Sequence, residues 1–337
     1  MKRRLFFIIF VLISSLTIHA ETYKVGFYTD FEPISYAASR IEGTENFDQA
    51  LGYEPDLLRA IERASKGELC FEFQGIKVWE NIWMAPIQNN VDIGIGGITI
   101  EDTRTKDSSG DKKIVFTKPT VDFHQSLLCL FSNKNAIKHH KDLNCSDTVG
   151  AVRGTTGEYR FLTQTGIINN LNDGLIKKGV TVVLKDRGFK RSDGNLSIYS
   201  EELKSRKYLI PSDCSLPLVR YFLAEDSMIP ALLEKHISAI ARGYIGNRIV
   251  AEQYPEDLVV TAIYSLECEA QGKKSREVCK EKEQAGMTVN IENEKLFTAL
   301  NKYILFLTDE GAITYEKWLD DPQVFEKRAD LYLERNS

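Results

Sequence analysis

Between Asp92 and Arg104 the chain reads Asp-Ile-Gly-Ile-Gly-Gly-Ile-Thr-Ile-Glu-Asp-Thr-Arg, and this stretch constrains the fold more than any other. Ile93 and Ile95 alternate with glycines in a short apolar run, which reads as a buried strand. Gly96-Gly97 then ends the strand without side chains, so a ligand can approach the backbone closely. Thr99 offers a hydroxyl just beyond, and Arg104 follows behind a short acidic loop. An arginine fork beside free amides and a hydroxyl suits a carboxylate, which takes two parallel charge-assisted hydrogen bonds. The plainer reading of the same residues is a glycine-rich turn with a solvated arginine.

A buried strand needs neighbours. Tyr23 to Tyr28 alternates and reads as a first strand, and Asp30 to Tyr36 follows as a loop. Gly52-Tyr53-Glu54-Pro55-Asp56 opens a helix to about Ala64, with Leu57, Leu58, Ile61 and Ala64 at helical spacing. Cys70 to Phe73 alternates as the next strand. Strand and helix in alternation argue for a parallel α/β sheet. A second set begins at the strand Ser126 to Phe131 and continues at Thr148 to Val152. After it, Thr155 and Glu158 have capping-box spacing, and a new helix N-terminus with free N–H groups attracts an anion.

Lys2-Arg3-Arg4, the apolar run Leu5 to Leu16 and Ile18-His19-Ala20 read as a signal peptide cleaved after residue 20. The run is too short to span a membrane, and no later stretch is long enough. Of 337 residues 43% are hydrophobic and 27% charged, enough for a soluble chain of two domains. With 43 basic and 48 acidic residues, and three of the basic ones in the signal, nucleic acid and anionic membrane are poor partners. Export, six cysteines and wide spacing favour disulfides over metal ligation. Cys268 and Cys279 bracket a polar excursion that a disulfide would close, while Cys70, Cys129, Cys145 and Cys214 allow three pairings. His139-His140 has no acidic or cysteine partner at ligand spacing and reads as part of a solvated loop. No metal or cofactor is expected.

Gly96-Gly97-Ile98-Thr99-Ile100-Glu101-Asp102-Thr103-Arg104, then Phe116-Thr117-Lys118-Pro119-Thr120, resembles the bacterial extracellular solute-binding proteins of the polar-amino-acid type, solute-binding family 3. Their pattern is Ala-Gly-Met-Thr-Ile-Thr-x-x-Arg, then Phe-Ser-x-Pro-Tyr, whose final Tyr is Thr120 here. Arg153-Gly154-Thr155-Thr156-Gly157-Glu158 matches the family's Gly-Thr-Thr-x-Glu, and Asp309 to Leu319 its closing Asp-Gly-Thr and Lys-Trp helix. Asp186 to Pro217 departs from the family and reads as a polar insertion, as does the stretch near 267–284.

The resemblance implies a periplasmic-binding-protein-like α/β fold, two lobes joined by a two-segment hinge with the ligand in the cleft. Lobe 1 would hold residues 21–122 and 285–337, and lobe 2 residues 123–284, with crossings near Val121 and Met287. Arg104 would hold a ligand carboxylate, helped by Thr99, Thr155 and the Thr156 amide, with Gly97 presenting its carbonyl. Phe31 and Trp79 would flank the ligand body, and Tyr28 lies where some members read the ligand side chain. Where the family usually carries an Asp for the ligand's α-amino group, this chain has Gly243, and no acid occurs between Ser238 and Ala251. An ammonium in the cleft would lack its carboxylate. Arg242 beside Gly243 suggests that this lobe faces extra negative charge. The implied protein is a periplasmic monomer, not an enzyme, that delivers a small carboxylate ligand to an ABC permease. Two alternatives stay open: an enzyme of the same fold, like the cyclohexadienyl or arogenate dehydratases, and a ligand-sensing module for a membrane receptor.

Overall fold

Strand Glu21–Tyr28 sits inside a five-stranded sheet, between the parallel strands Leu69–Ile76 and Ile93–Ile95. The computed structural model describes residues 20–107, 109–169, 173–186, 188–263 and 283–336. The signal peptide and the expected Cys268–Cys279 bridge therefore lie outside the described residues. Val25, Phe27, Ile93 and Ile95 are fully buried, as the short apolar runs require. The sheet is finished by Thr288–Asn290, antiparallel to both Ile93–Ile95 and Ile114–Phe116. Helix Tyr53–Ala64 covers this sheet with Leu57, Leu58 and Ile61, all fully buried. Each such side chain contributes about 1.5–3 kcal/mol of apolar burial.

The second lobe is an eight-stranded sheet. Thr148–Val152 lies at its middle, parallel to Leu218–Phe222 on one side and Ala239–Gly243 on the other. Gln125–Leu130 and Leu258–Thr261 extend it antiparallel. Leu127 and Leu128, neighbours in one strand, belong to the two different cores on opposite faces of this sheet. The prediction of parallel α/β sheets holds for three strands from one edge of the first sheet and for three at the middle of the second, while the remaining pairings run antiparallel.

The segment 186–217 is not merely a polar insertion. It supplies strands Phe189–Arg191 and Arg206–Ile210, which continue the second sheet through Thr181–Leu184. Its buried Arg206 donates to the Glu158 carboxylate at 2.6 Å and lies over the Tyr221 ring. One of the open cysteine pairings is resolved: Cys145 and Cys214 form a disulfide within this lobe, and Cys70 and Cys129 are free thiols. His139 and Asp142 cap a short 3-10 turn reciprocally, but the solvated reading fails for His140, which is buried with its ring 6.4 Å from that of Phe161.

The two lobes meet through a pair of short antiparallel strands, Val121–Phe123 and Glu283–Ala285. Gln284 donates to Asp122 across them at 3.1 Å. These two strand segments side by side form the two-segment connection between the lobes. Among the described residues, no helix is long and apolar enough to cross a membrane.

Candidate functional site

Arg104 lies in the 3-10 turn Asp102–Thr105, at the edge of the first sheet and facing the second lobe, and only 5% of its surface is exposed. Its guanidinium donates to the Thr99 carbonyl at 3.1 Å, to the Gly154 carbonyl at 2.9 Å and to Thr156 Oγ1 at 3.3 Å. The rings of Trp83 and Trp79 stand 4.8 and 5.9 Å from its central carbon, within cation–π range. The Glu101 carboxylate is 3.9 Å away. Burial pulls the Arg104 pKa below the usual guanidinium value, and Glu101 and Glu283 work against that shift. The result is a buried cation held by neutral oxygens and rings, with its one salt-bridge contact at the far limit of range.

Thr156 opens the helix Thr156–Thr165, and its hydroxyl lies 2.8 Å from that of Thr99 on the other lobe. Thr155 is the N-cap: its Oγ1 accepts from the Glu158 N–H at 3.1 Å. The capping-box spacing is realised with one variation. The Glu158 carboxylate reaches back to the Gly154 N–H at 2.6 Å, and its other oxygen accepts from Arg206 and Tyr221. Thr155 thus orients the helix end and Thr156 faces Arg104. A further bridge between lobes joins Arg153 to Glu80 at 3.2 Å.

The glycine turn differs from expectation in one respect. The Gly96 and Gly97 amides are not free, because both donate to Glu54 Oε2, at 2.8 and 2.9 Å. Glu54 is fully buried, accepts also from the Thr120 hydroxyl, and has its pKa raised by burial against the pull of those hydrogen bonds. The donors at the lobe boundary are instead the Arg104 guanidinium and the Thr99 and Thr156 hydroxyls. Gly97 adopts φ +66°, and a Cβ there would lie 2.5 Å from the Phe31 ring, so only glycine fits.

Phe31 packs between Gly97 of one lobe and Gly243 of the other, where a Cβ would lie 3.7 Å from its ring. Trp79 instead meets Arg104 and Tyr28, whose rings stand edge to face with centroids 5.1 Å apart. The Tyr28 hydroxyl and the Trp79 indole N–H are buried and have no hydrogen-bond partner among the described residues. Burial, with Glu225 next, raises the Tyr28 pKa well above its ordinary value. Gly243 caps the helix Tyr244–Gln253. Arg242 does not wait for extra negative charge from outside, since it is paired with buried Glu225 of its own lobe.

Sequence reading missed Glu54, Trp83, Gln125 and Glu225. Glu54 sits in a stretch read only as a helix start, and Trp83 follows Trp79 by one helical turn. Gln125 had no signal at all: it is the cross-strand neighbour of Gly243, a relation only the sheet creates.

A family model described as bacterial extracellular solute-binding proteins, family 3, matches residues 23–321. The chain belongs to this family. Its fold is shared with solved structures at low identity. An ancestral arginine-binding protein bound to arginine gives a TM-score of 0.57 at 18% identity, covering 92% of this chain and 99% of that one. An amino acid ABC transporter substrate-binding protein from Streptococcus pneumoniae bound to L-arginine gives 0.56 at 17%, covering 91% and 95%. A Streptococcus pneumoniae ABC uptake transporter substrate-binding protein with bound histidine gives 0.56 at 15%, covering 90% and 92%. No curated protein matches. The family 3 fold confirms the two-lobed architecture that the motifs around Arg104 and Thr155 imply.

Proposed function

We propose that the protein is a periplasmic solute-binding protein that captures a small carboxylate-bearing ligand, an amino acid or related organic acid, by hinge closure and delivers it to an ABC permease. The observation that carries this reading is buried Arg104. Its guanidinium bridges the two lobes through neutral acceptors, and the Glu101 carboxylate reaches it only at 3.9 Å. A buried cation so placed gains most from an anion entering between the lobes. The ligand carboxylate would displace the Gly154 and Thr156 contacts and take the guanidinium, with the Thr99 and Thr156 hydroxyls alongside. Thr155 would hold the helix end in place. Phe31, Trp79 and Tyr28 would contact the ligand body, the last two through unpartnered donors, while Gly97 and Gly243 leave room for the Phe31 ring between the lobes. Neighbours of the same fold hold arginine and histidine, which supports a ligand of amino-acid size.

The test is mass spectrometry of ligand released from protein purified from the periplasm, repeated with Arg104→Ala. A small carboxylic acid that co-purifies with wild type and not with the variant is the expected result. Retention of the same molecule by Arg104→Ala would overturn the placement of the site.

A further inference from the structure

Gly243 brings no side chain to its wall of the cleft, but the place beside it is not empty. Gln125 begins the strand Gln125–Leu130 and pairs directly with Gly243 across the antiparallel ladder, so its side chain shares that face of the sheet. Its amide oxygen lies 3.9 Å from the position of a Cβ on Gly243 and 3.1 Å from one on Gly157. Gly157 is the next residue after Thr156, the partner of Arg104. The two glycines open the space that the Gln125 amide occupies.

The orientation of that amide is fixed by its neighbour. Gln125 Nε2 donates to the Glu283 carboxylate at 2.6 Å, and only the NH2 end of an amide can do so. The same carboxylate accepts from Arg160 Nε at 2.6 Å. Oε1 is thereby turned away from Glu283 toward the glycines. Gln125 is 3% exposed, and its Oε1 has no hydrogen-bond partner among the described residues. Buried acceptors of this kind are rarely left unmade in a protein that has finished its contacts.

We infer that Gln125 Oε1 is the acceptor for the α-substituent of the ligand, and that the ligand is a 2-hydroxy acid. This rests on the Arg104 carboxylate clamp proposed above. The charges decide between hydroxyl and ammonium. Among these cleft arginines in the described residues, Arg160 is matched closely by Glu283, Arg242 by Glu225 and Arg153 by Glu80, whereas Arg104 has Glu101 only at 3.9 Å and gains most from an added anion. A 2-hydroxy acid brings one negative charge and one neutral donor, which are what Arg104 and Gln125 accept. A zwitterion would add a buried ammonium facing a neutral oxygen.

The experiment is calorimetry on the mature chain, freed of co-purified ligand, with matched trios that share a side chain. Lactate, alanine and propionate form one; phenyllactate, phenylalanine and 3-phenylpropionate a second; malate, aspartate and succinate a third. In the trio that binds, the hydroxy acid should be about tenfold tighter than either companion, the worth of one buried hydrogen bond. Gln125→Met, close in shape but lacking both the acceptor and the donor to Glu283, should erase the preference for the hydroxy acid over the unsubstituted acid. Gln125→Ala should behave alike, which guards against poor folding of either variant. A tighter amino acid, an equal loss for all members of a trio in both variants, or no binding by any hydroxy acid would overturn the inference. Arg104→Ala separates the two readings: if it abolishes binding while the Gln125 variants show no hydroxyl effect, the clamp stands and this inference falls. If it binds unchanged, the clamp itself falls.

Discussion

Arg104 of the first lobe donates to the Gly154 carbonyl of the second at 2.9 Å. The same guanidinium holds the Thr99 carbonyl of its own lobe. One side chain therefore touches both walls, and whatever binds it also biases the distance between them. On the proposed reading, ligand capture and closure would be coupled through this single fork of donors.

Arg104→Ala should cost roughly 2–4 kcal/mol of ligand binding, about 30-fold to 1000-fold, because a charge-assisted contact in a closed cleft is lost. Arg104→Lys should recover only part of this, since an ammonium cannot present the planar fork. Calorimetry with the co-purified ligand checks both, and a lysine variant equal to wild type would show that charge alone suffices.

The Arg153–Glu80 bridge also joins the lobes, but both side chains are partly exposed. Its removal by Glu80→Gln should weaken ligand binding by no more than about 1 kcal/mol, and the difference from wild type should shrink at high salt. Small-angle scattering of the unliganded variant should show a shift toward open forms. An effect as large as that of Arg104→Ala would mean that closure, and not the clamp, dominates affinity.

Glu54 is a structural carboxylate. Glu54→Ala would leave the Gly96 and Gly97 amides and the Thr120 hydroxyl buried without their acceptor, a loss of about 3 kcal/mol or more. Its pKa is raised by burial, so the folded state binds the proton more tightly than the unfolded state. That contribution to stability is full below the ordinary glutamate pKa of 4.5 and is lost as pH rises through the folded value. Glu54→Gln, which does not titrate, should therefore lose less stability than wild type as pH rises from mildly acid to neutral. Melting temperatures of both proteins across that range measure the difference, and parallel curves would refute it.

Much of the site was legible because its parts are local. Thr155 and Glu158 show their capping role in three residues of spacing, and Thr99 and Arg104 are five residues apart. The rest depends on contacts that sequence separates. Glu54 meets Gly97 across 43 positions, and Arg206 meets Glu158 across 48. The segment 186–217 read as a polar insertion because its strands are short and half exposed, so no apolar period marked them. Arg242 looked free beside Gly243 because nothing in the sequence announces that Glu225 folds back upon it.

Cys145 and Cys214 close a loop with a sequence separation of 69. In the chain-entropy model a bridge over that span contributes about 4 kcal/mol. Reduction should lower the melting temperature accordingly. Non-reducing peptide mapping should find this pair, and the proposed Cys268–Cys279 pair beside it. Cys129 is buried, and burial pushes its thiol up to about 11, so it should resist alkylation until the protein unfolds, while half-buried Cys70 reacts sooner. A Cys70–Cys129 bridge in the map would contradict the fold, since these residues sit in different sheets.

Gly243→Asp tests the identity of the ligand from the opposite direction. The backbone permits it: φ at Gly243 is −55°, and a Cβ there meets only ordinary contacts, with Phe31 at 3.7 Å and Gln125 Oε1 at 3.9 Å. Aspartate is also a favoured N-cap, so the helix Tyr244–Gln253 should lose nothing. The variant places a carboxylate near the Gln125 oxygen, at the same wall as Thr156. An ammonium entering there would then have a charge partner, and a hydroxyl would face a second acceptor with only one proton to give. Affinity within a matched pair should swing toward the amino acid by about tenfold or more, the worth of a charge-assisted hydrogen bond over a neutral one. Calorimetry on wild type and variant with the same pairs reads the swing directly. If wild type already binds a standard amino acid tightly and ignores its deaminated analogues, the reading of Gly243 as a missing ammonium partner is wrong.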